Sequence, residues 1–443
     1  MTSTTGDAGV PSIRMLVRLS VPAVIIGVVS ALVLWCLDEV AGLLEDGLWK
    51  GLPGALGIDP SSGWWIFAVL TATGVAIGLV VWLVPGHAGP DSATTELMTP
   101  PLRLAVLPSL ILATVLALAG GVSLGPENPI IAINTGLLVA VIARLWPAIP
   151  PQLVVLITAA GTIGALFGTP VAAALVFTGV VAALKTGGAL WDRLFLPLAS
   201  ATAGSITMTL LAHPSFAIAM PTYDAPKIVD LAGGIVIGIV ATLLGLVIVY
   251  VFPLVHRTFH RIGHPLIYIT LGGLVLGGLG ALGGPITLFK GLTQMNELVQ
   301  TRGDYTTWQL AGIVGVKVVA LVIAAAAGFR GGRIFPAVFI GAAVGVLANA
   351  LVPAVPLPVA VGCGVLGLTL AIARDGWIAL FIAAAVTNSP AMLPLLCLVI
   401  LPTWLMVSRA PEMLIKPPVT VAPAPAGPTG PPDSPTQQTA PGS

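Results

Sequence analysis

Glu127 constrains this chain more than any other residue. It is a carboxylate set between two prolines in Gly125-Pro126-Glu127-Asn128-Pro129, with apolar sequence of membrane-crossing length on both sides. An acid near the centre of a bilayer costs roughly 2.5–3.5 kcal/mol on insertion scales, so one that is retained there faces an ion or water pathway. The prolines, with Gly120, Gly121 and Gly125, break the helix at this point. Broken backbone at membrane depth is tolerated where it lines a cavity.

The membrane assignment rests on composition. Of 443 residues, 57% are hydrophobic and only 8% charged, and the mean hydropathy is +1.04; soluble domains carry about 25% charged residues. Apolar stretches recur near 18–37, 62–84, 102–118, 130–147, 152–183, 196–211, 229–251, 266–282, 308–327, 336–352, 356–373 and 376–407. Several are too short or too Gly-rich to cross straight, and these should be tilted, re-entrant or broken. The expected fold class is an all-α polytopic membrane protein whose immediate partner is the lipid bilayer.

A net charge of +1 leaves no footprint for nucleic acid. The placement of the few charges is more informative. Arg14 and Arg18 precede the first span, and Arg257 and Arg261 with His256, His260 and His264 fill what reads as one short loop. The positive-inside bias puts both segments in the cytoplasm of a multi-pass plasma (inner) membrane protein, with both termini cytoplasmic. The first span reads as a retained helix rather than a signal peptide. Cys36, Cys363 and Cys397 lack metal-ligand spacing and read as packing residues. No metal and no cofactor is expected. Trp64, Trp65, Trp82, Trp146 and Trp404 sit near span ends, where indoles anchor at the interface.

Gly/Pro interruptions recur in two sets. The first comprises Gly86-His87-Ala88-Gly89-Pro90, Gly120 to Pro129 and Gly168-Thr169-Pro170; the second comprises Gly283-Gly284-Pro285, Gly328 to Pro336 and Asn388-Ser389-Pro390. Corresponding breaks in two halves are the sequence mark of a midplane substrate site. The expected organisation is a short disordered amino terminus (1–13), a first membrane repeat (14–213), a connecting segment (214–228), a second repeat (229–416) and a disordered Pro-rich tail (417–443). Helices that start inside the membrane present unsatisfied N–H groups and a positive dipole end, which favours an anion as substrate. Each terminus supplies about 0.3–1 kcal/mol, up to ~2 when partly buried, so several must converge.

These residues also resemble a known family. The stretch GGVSLGPENP (Gly120 to Pro129) is similar to the Gly-(Arg/Lys)-Glu-Gly-Pro signature of CLC chloride channels and proton-coupled chloride transporters. Gly331-Gly332-Arg333-Ile334-Phe335-Pro336 resembles the family's Gly-x-Phe-x-Pro segment, and Gly86-His87-Ala88-Gly89-Pro90-Asp91 its Gly-Ser-Gly-Ile-Pro-Glu segment. Gly168-Thr169-Pro170-Val171-Ala172 falls where the family has Asn-Ala-Pro-Leu-Ala. The four occur in family order over about residues 15 to 416, and the likeness is to a divergent bacterial branch described as ion-transport or ion-channel proteins.

The resemblance implies two inverted repeats of tilted and broken helices, a homodimer with one pore per subunit, and chloride or a similar small anion as the transported species. It makes Glu127 the gate, with His87, Gly125, Asn128, Arg333 and Ile334 as anion-binding residues through backbone or side chain. Pro126, Pro129, Gly332, Phe335 and Met413 then line the pore. Departures from the pattern matter too. Pro126 replaces the basic residue of the signature, Asn128 its Gly, His87 a coordinating Ser, and Met413 the family's Tyr near the last membrane helix. Proton-exchanging members carry a second Glu ten residues after the Pro of the Asn-Ala-Pro segment; counting from Pro170 reaches Val180, preceded by Gly179, and neither carries a proton.

The expected function is therefore passive anion conduction through a pore gated by Glu127. A proton-coupled exchanger without the usual internal Glu, or a broken-helix secondary transporter of another solute, are the alternatives. An enzyme is not expected, because no paired base and nucleophile lies within the spans. Arg330 is read as snorkelling to the interface, Thr387 and Asn388 as helix-capping residues, and Lys185, Asp192 and Arg193 as loop charges.

Overall fold

In hydrocarbon every backbone N–H and C=O must find its partner within the chain, and a helix supplies one locally. The computed structural model describes residues 13–97, 100–183, 189–214, 216–224 and 227–416. Lys185, the expected tails and the Val180 side chain lie outside the described residues. The first half contains α1 (Ile13–Asp46), α2 (Leu52–Leu56), α3 (Gly63–Leu83) and α4 (Leu107–Ala119). It continues with α5 (Glu127–Leu145), α6 (Pro151–Phe167), α7 (Pro170–Ala183) and α8 (Leu190–Ala212). The second half contains α9 (Ile228–His260), α10 (Pro265–Gly283), α11 (Leu292–Gln300) and α12 (Thr307–Ala326). It ends with α13 (Ile334–Leu351), α14 (Leu357–Ala373), α15 (Gly376–Thr387) and α16 (Met392–Val407). Among the described residues, 8 helices are long and apolar enough to cross a bilayer.

Local chemistry sets the breaks. The apolar run 152–183 divides at Gly168, whose φ of 66° ends α6, and Pro170 opens α7. The run 376–407 divides at Asn388, which holds φ 45° and caps α15 ahead of Pro390. Left-handed backbone followed by proline stops one helix and lets another begin at a new angle.

The two halves repeat one another's neighbours. Helix α1 packs on α6 and α8, as α9 packs on α14 and α16; α5 lies against α6 as α13 lies against α14. Helices α3 and α10 pair across the seam between the halves. Lipid tails are as apolar as leucine, so close backbone approach rather than the hydrophobic effect holds such a seam. Gly74 and Gly273 supply that approach: a Cβ on either would sit 2.8 Å from the other's Cα.

Lys317 is fully buried in this core, at 0% exposure on α12. Its Nζ donates to the carbonyls of Thr287, Leu288 and Phe289 at 3.0, 2.9 and 2.8 Å. The next link is Phe289 N–H, which donates to the Gly121 carbonyl at 3.0 Å. Lys317 thus ties the turn before α11 to the broken segment that leads into α5.

Two expectations change. The helix α9 runs through His260, so His256 and His260 are helical and only His264 lies in the loop. Cys363 is packed as expected, but Cys36 and Cys397 are exposed on the outside of the single chain. Among the tryptophans Trp65 is buried, whereas Trp64, Trp82, Trp146 and Trp404 are exposed.

Gly273→Val should force the α3–α10 seam apart and cost about 1–3 kcal/mol, read as a lower thermal unfolding midpoint in detergent; an unchanged midpoint would contradict close backbone packing. Lys317→Met leaves buried carbonyls without a donor and should cost about 1–3 kcal/mol, measured in the same assay.

Candidate anion site

Two interrupted segments come together at the centre of the fold. The chain before α5 and the chain before α13 pair as a single antiparallel bridge: Gly125 N–H donates to the Gly332 carbonyl at 2.9 Å, and Gly332 N–H to the Gly125 carbonyl at 2.6 Å. This bridge aims the starts of α5 and α13 at one place. Glu127, the first residue of α5, is 1% exposed and folds back over both glycines. A Cβ on Gly332 would sit 2.0 Å from the Glu127 Cδ, and one on Gly125 would sit 2.0 Å from its Oε2. Only glycine leaves the carboxylate room here.

Glu127 Oε1 accepts from the backbone N–H of Ile334 at 2.7 Å and of Phe335 at 3.4 Å. These amides belong to the first turn of α13, where N–H groups have no intrahelical partner. A carboxylate oxygen therefore occupies the position that an anion would take at a helix start. The Glu127 Oε2 atom is buried and has no hydrogen-bond partner among the described residues. Arg333 Nη1 is in the same condition, while its Nη2 donates to the Thr95 carbonyl at 3.2 Å. An unsatisfied carboxylate oxygen and an unsatisfied guanidinium N–H thus lie beside one helix start.

The other expected residues distribute around this centre. Asn128 is buried and its Nδ2 donates to the same Thr95 carbonyl at 3.3 Å. Pro126 caps α5 and Pro129 is buried in its first turn. Phe335 is buried and stacks on Phe216, ring centroids 5.5 Å apart, with Phe167 at 6.0 Å, forming an apolar wall. Met413 is 1% exposed and, with Asn128, Arg333 and Ile334, lines a cavity of about 410 Å³. Asp375 also lines it and caps α15 by accepting from Trp377 and Ile378 N–H. Burial raises the Asp375 carboxyl pKa above its ordinary value in spite of those two donors.

His87 is not brought to the Glu127 carboxylate; its contacts are to Val81 and Arg330. The residue is exposed, its Nδ1 lies 2.8 Å from the Val81 carbonyl, and its own carbonyl accepts from Arg330 Nη2 at 3.3 Å. Arg330 is 6% exposed and does not snorkel. Its Nε donates to Ala88, its Nη1 to Gly328 and its Nη2 also to Gly89, at 2.9, 2.7 and 3.2 Å. The left-handed run Gly86, His87, Ala88, Gly89 lets three consecutive carbonyls, those of His87, Ala88 and Gly89, meet one guanidinium. Ser92 adds a second tie by accepting from Gly331 N–H at 3.0 Å. The 86–92 loop is thereby fastened to the segment that precedes α13.

The structural roles of Arg330, Ser92 and Lys317 escape a reading of the sequence. Lys317 did leave a signal, as a lone cation within the apolar run 308–327. Thr387 donates within its own helix, to the Ala383 and Ala384 carbonyls.

Comparison with known proteins agrees with this geometry. The sequence model of the family described as voltage gated chloride channel matches residues 73–407. Provisionally named ion-transport proteins YfeO are similar over most of the chain. The protein from Salmonella schwarzengrund is 47% identical over 405 residues, which is 90% of this chain and 97% of that one. The protein from Escherichia fergusonii is 45% identical over 408 residues, covering 92% and 97%. Among solved structures, a CLC-type fluoride/proton antiporter superposes with a TM-score of 0.68 at 19% identity, covering 90% of this chain and 97% of that one. A slow cyanobacterial Cl-/H+ antiporter gives 0.74 at 17% identity, covering 89% and 96%. These two likenesses concern the fold. With the matched family model and the near-full-length relatives, they make this chain a member of the CLC family of voltage-gated chloride channel proteins, multi-pass membrane proteins of anion transport.

Proposed function

We propose that this protein conducts chloride or a similar small anion passively through a pore gated by Glu127. The observation that carries the reading is the Glu127 carboxylate seated on the Ile334 and Phe335 amides, a negative group where a dehydrated anion would bind. Protonation removes the charge that favours this seat, and an arriving anion competes for the same N–H groups. Arg333, Asn128, Ile334 and Met413 line a cavity beside the seat, together with the carboxylates Glu96, Asp375 and Glu412. Gly125, Gly332, Pro126, Pro129 and Phe335 are assigned to the surrounding lining.

The sequence of α7 supports passive conduction: it holds no carboxylate and has Gly179 and Val180 where the exchangers of the family carry a Glu. The seat is assembled within one chain, which supports a pore in each subunit of a homodimer. Connectivity supports cytoplasmic termini in a plasma (inner) membrane. Helix α1 crosses and α3 returns; Asp91, just after α3, meets His256 and His260 at the basic end of α9. Ile415 N–H donates to the Ala93 carbonyl at 2.8 Å, so the carboxyl-terminal segment lies on that side too, with Arg14 and Arg18 at the start of α1.

In proteoliposomes the purified protein should dissipate a chloride gradient, faster as pH falls. Charge-assisted hydrogen bonds of about 1.5–3 kcal/mol hold the gate, so Glu127→Gln should raise flux at neutral pH by about tenfold or more and flatten its pH dependence. Under combined chloride and pH gradients the reversal potential should follow chloride alone. A reversal potential that moves with pH would overturn passive conduction; solute uptake with zero chloride conductance would overturn the anion pore.

A further inference from the structure

A second cluster of chemistry lies away from the Glu127 seat. Helix α9 ends in His256-Arg257-Thr258-Phe259-His260, and the i, i+4 spacing puts both imidazoles on one face. Their rings lie 3.8 Å apart at 20° to one another. Asp91, from the loop after α3, turns its Oδ2 toward both: 3.0 Å to His256 Nε2 and 3.1 Å to His260 Nε2. The three ligand atoms lie within 4.8 Å of one another. A tetrahedral ion with bonds of about 2.0–2.2 Å sets neighbouring ligands roughly 3.3 Å apart, close to what is found.

Proton placement sharpens the point. His260 Nδ1 is 3.0 Å from the His256 carbonyl, which only accepts, so Nδ1 carries the hydrogen. A neutral His260 with its hydrogen on Nδ1 turns a bare Nε2 lone pair toward a carboxylate oxygen, an arrangement completed either by a proton on Nε2 or by a bound cation. Two imidazolium rings stacked at 3.8 Å would repel, so protonating both is a poor solution. An Nδ1–H bonded to a backbone carbonyl is also the outer arrangement that orients a metal-binding histidine.

The surroundings leave one carboxylate oxygen for an ion. Asp91 Oδ1 accepts from Ala93 N–H at 3.0 Å and faces Arg330 Nη1 at 3.9 Å. Arg330 is the nearest competing cation, and its N–H groups are committed to the carbonyls of His87, Ala88, Gly89 and Gly328. The side chains of His256, Asp91 and His260 are 11%, 19% and 30% exposed, which leaves an ion a route in from water.

We propose that Asp91, His256 and His260 bind one divalent transition-metal ion per chain, of the borderline class that includes Zn2+, and that the bound ion clamps the 86–92 loop to the end of α9. Imidazole and carboxylate together suit Zn2+ better than Mg2+ or Ca2+, which take all-oxygen sites. The site stands apart from the Glu127 seat and does not depend on the transport reading.

The test uses tag-free, chelator-stripped, full-length protein in detergent, titrated with ZnCl2 by calorimetry. One ion per chain is expected, with His256→Gln and His260→Gln each weakening binding about 100-fold, and Zn2+ should raise the unfolding midpoint of the unsubstituted protein but not of the double variant. Wild-type protein with Co2+ should show intense tetrahedral visible bands that Zn2+ bleaches, a reading independent of whether the variants fold. Absence of stoichiometric Zn2+ binding, equal binding by the double variant, or Co2+ spectra typical of six oxygen ligands would each overturn the proposal, as would a cluster that responds only to pH.

Discussion

The structure depends on one contact made across half the chain: the Glu127 carboxylate on the first-turn amides of α13. Helix starts inside a membrane leave N–H groups that neither water nor lipid satisfies. Here the start of α5 supplies a side chain that satisfies the start of α13, so each half of the fold completes the other. The contact requires glycine at 125 and 332, because any Cβ there would occupy the carboxylate's place. It also leaves one carboxylate oxygen and one Arg333 N–H unspent.

That geometry is sustained by cations used as structural clasps. Arg330 gathers carbonyls of the 86–89 run onto the segment before α13, and Lys317 gathers the carbonyls of the turn before α11. Both are buried and donate to backbone carbonyls, with Asp91 Oδ1 also 3.9 Å from Arg330 Nη1. Charges in this core therefore position broken chain segments around the Glu127 contact. If a metal ion joins Asp91 to α9, it adds a third clasp on the same loop.

Much of this was legible from residue type. A lone acid between prolines identified Glu127, and the paired Gly/Pro breaks located the helix starts of both halves. The fold class followed from apolar runs and from motif order. What could not be read were partners set by tertiary geometry: the 207-residue separation between Glu127 and Ile334, and the four carbonyls around Arg330. Arg330 was expected at the interface because a long cationic chain beside a glycine turn can reach water, and nothing local shows that four carbonyls await it. The length of α9 was also hidden. Its polar last turns resemble a loop in composition, yet the helix persists and stacks His256 on His260.

The central claim is that Glu127 and a permeant anion share one seat. Anomalous diffraction from bromide-soaked crystals of the Glu127→Gln protein tests it most directly. Bromide should appear against the N–H groups of Ile334 and Phe335, at higher occupancy than in the unsubstituted protein. Bromide bound elsewhere along the cavity, with those amides still covered and anion flux intact, would contradict the account.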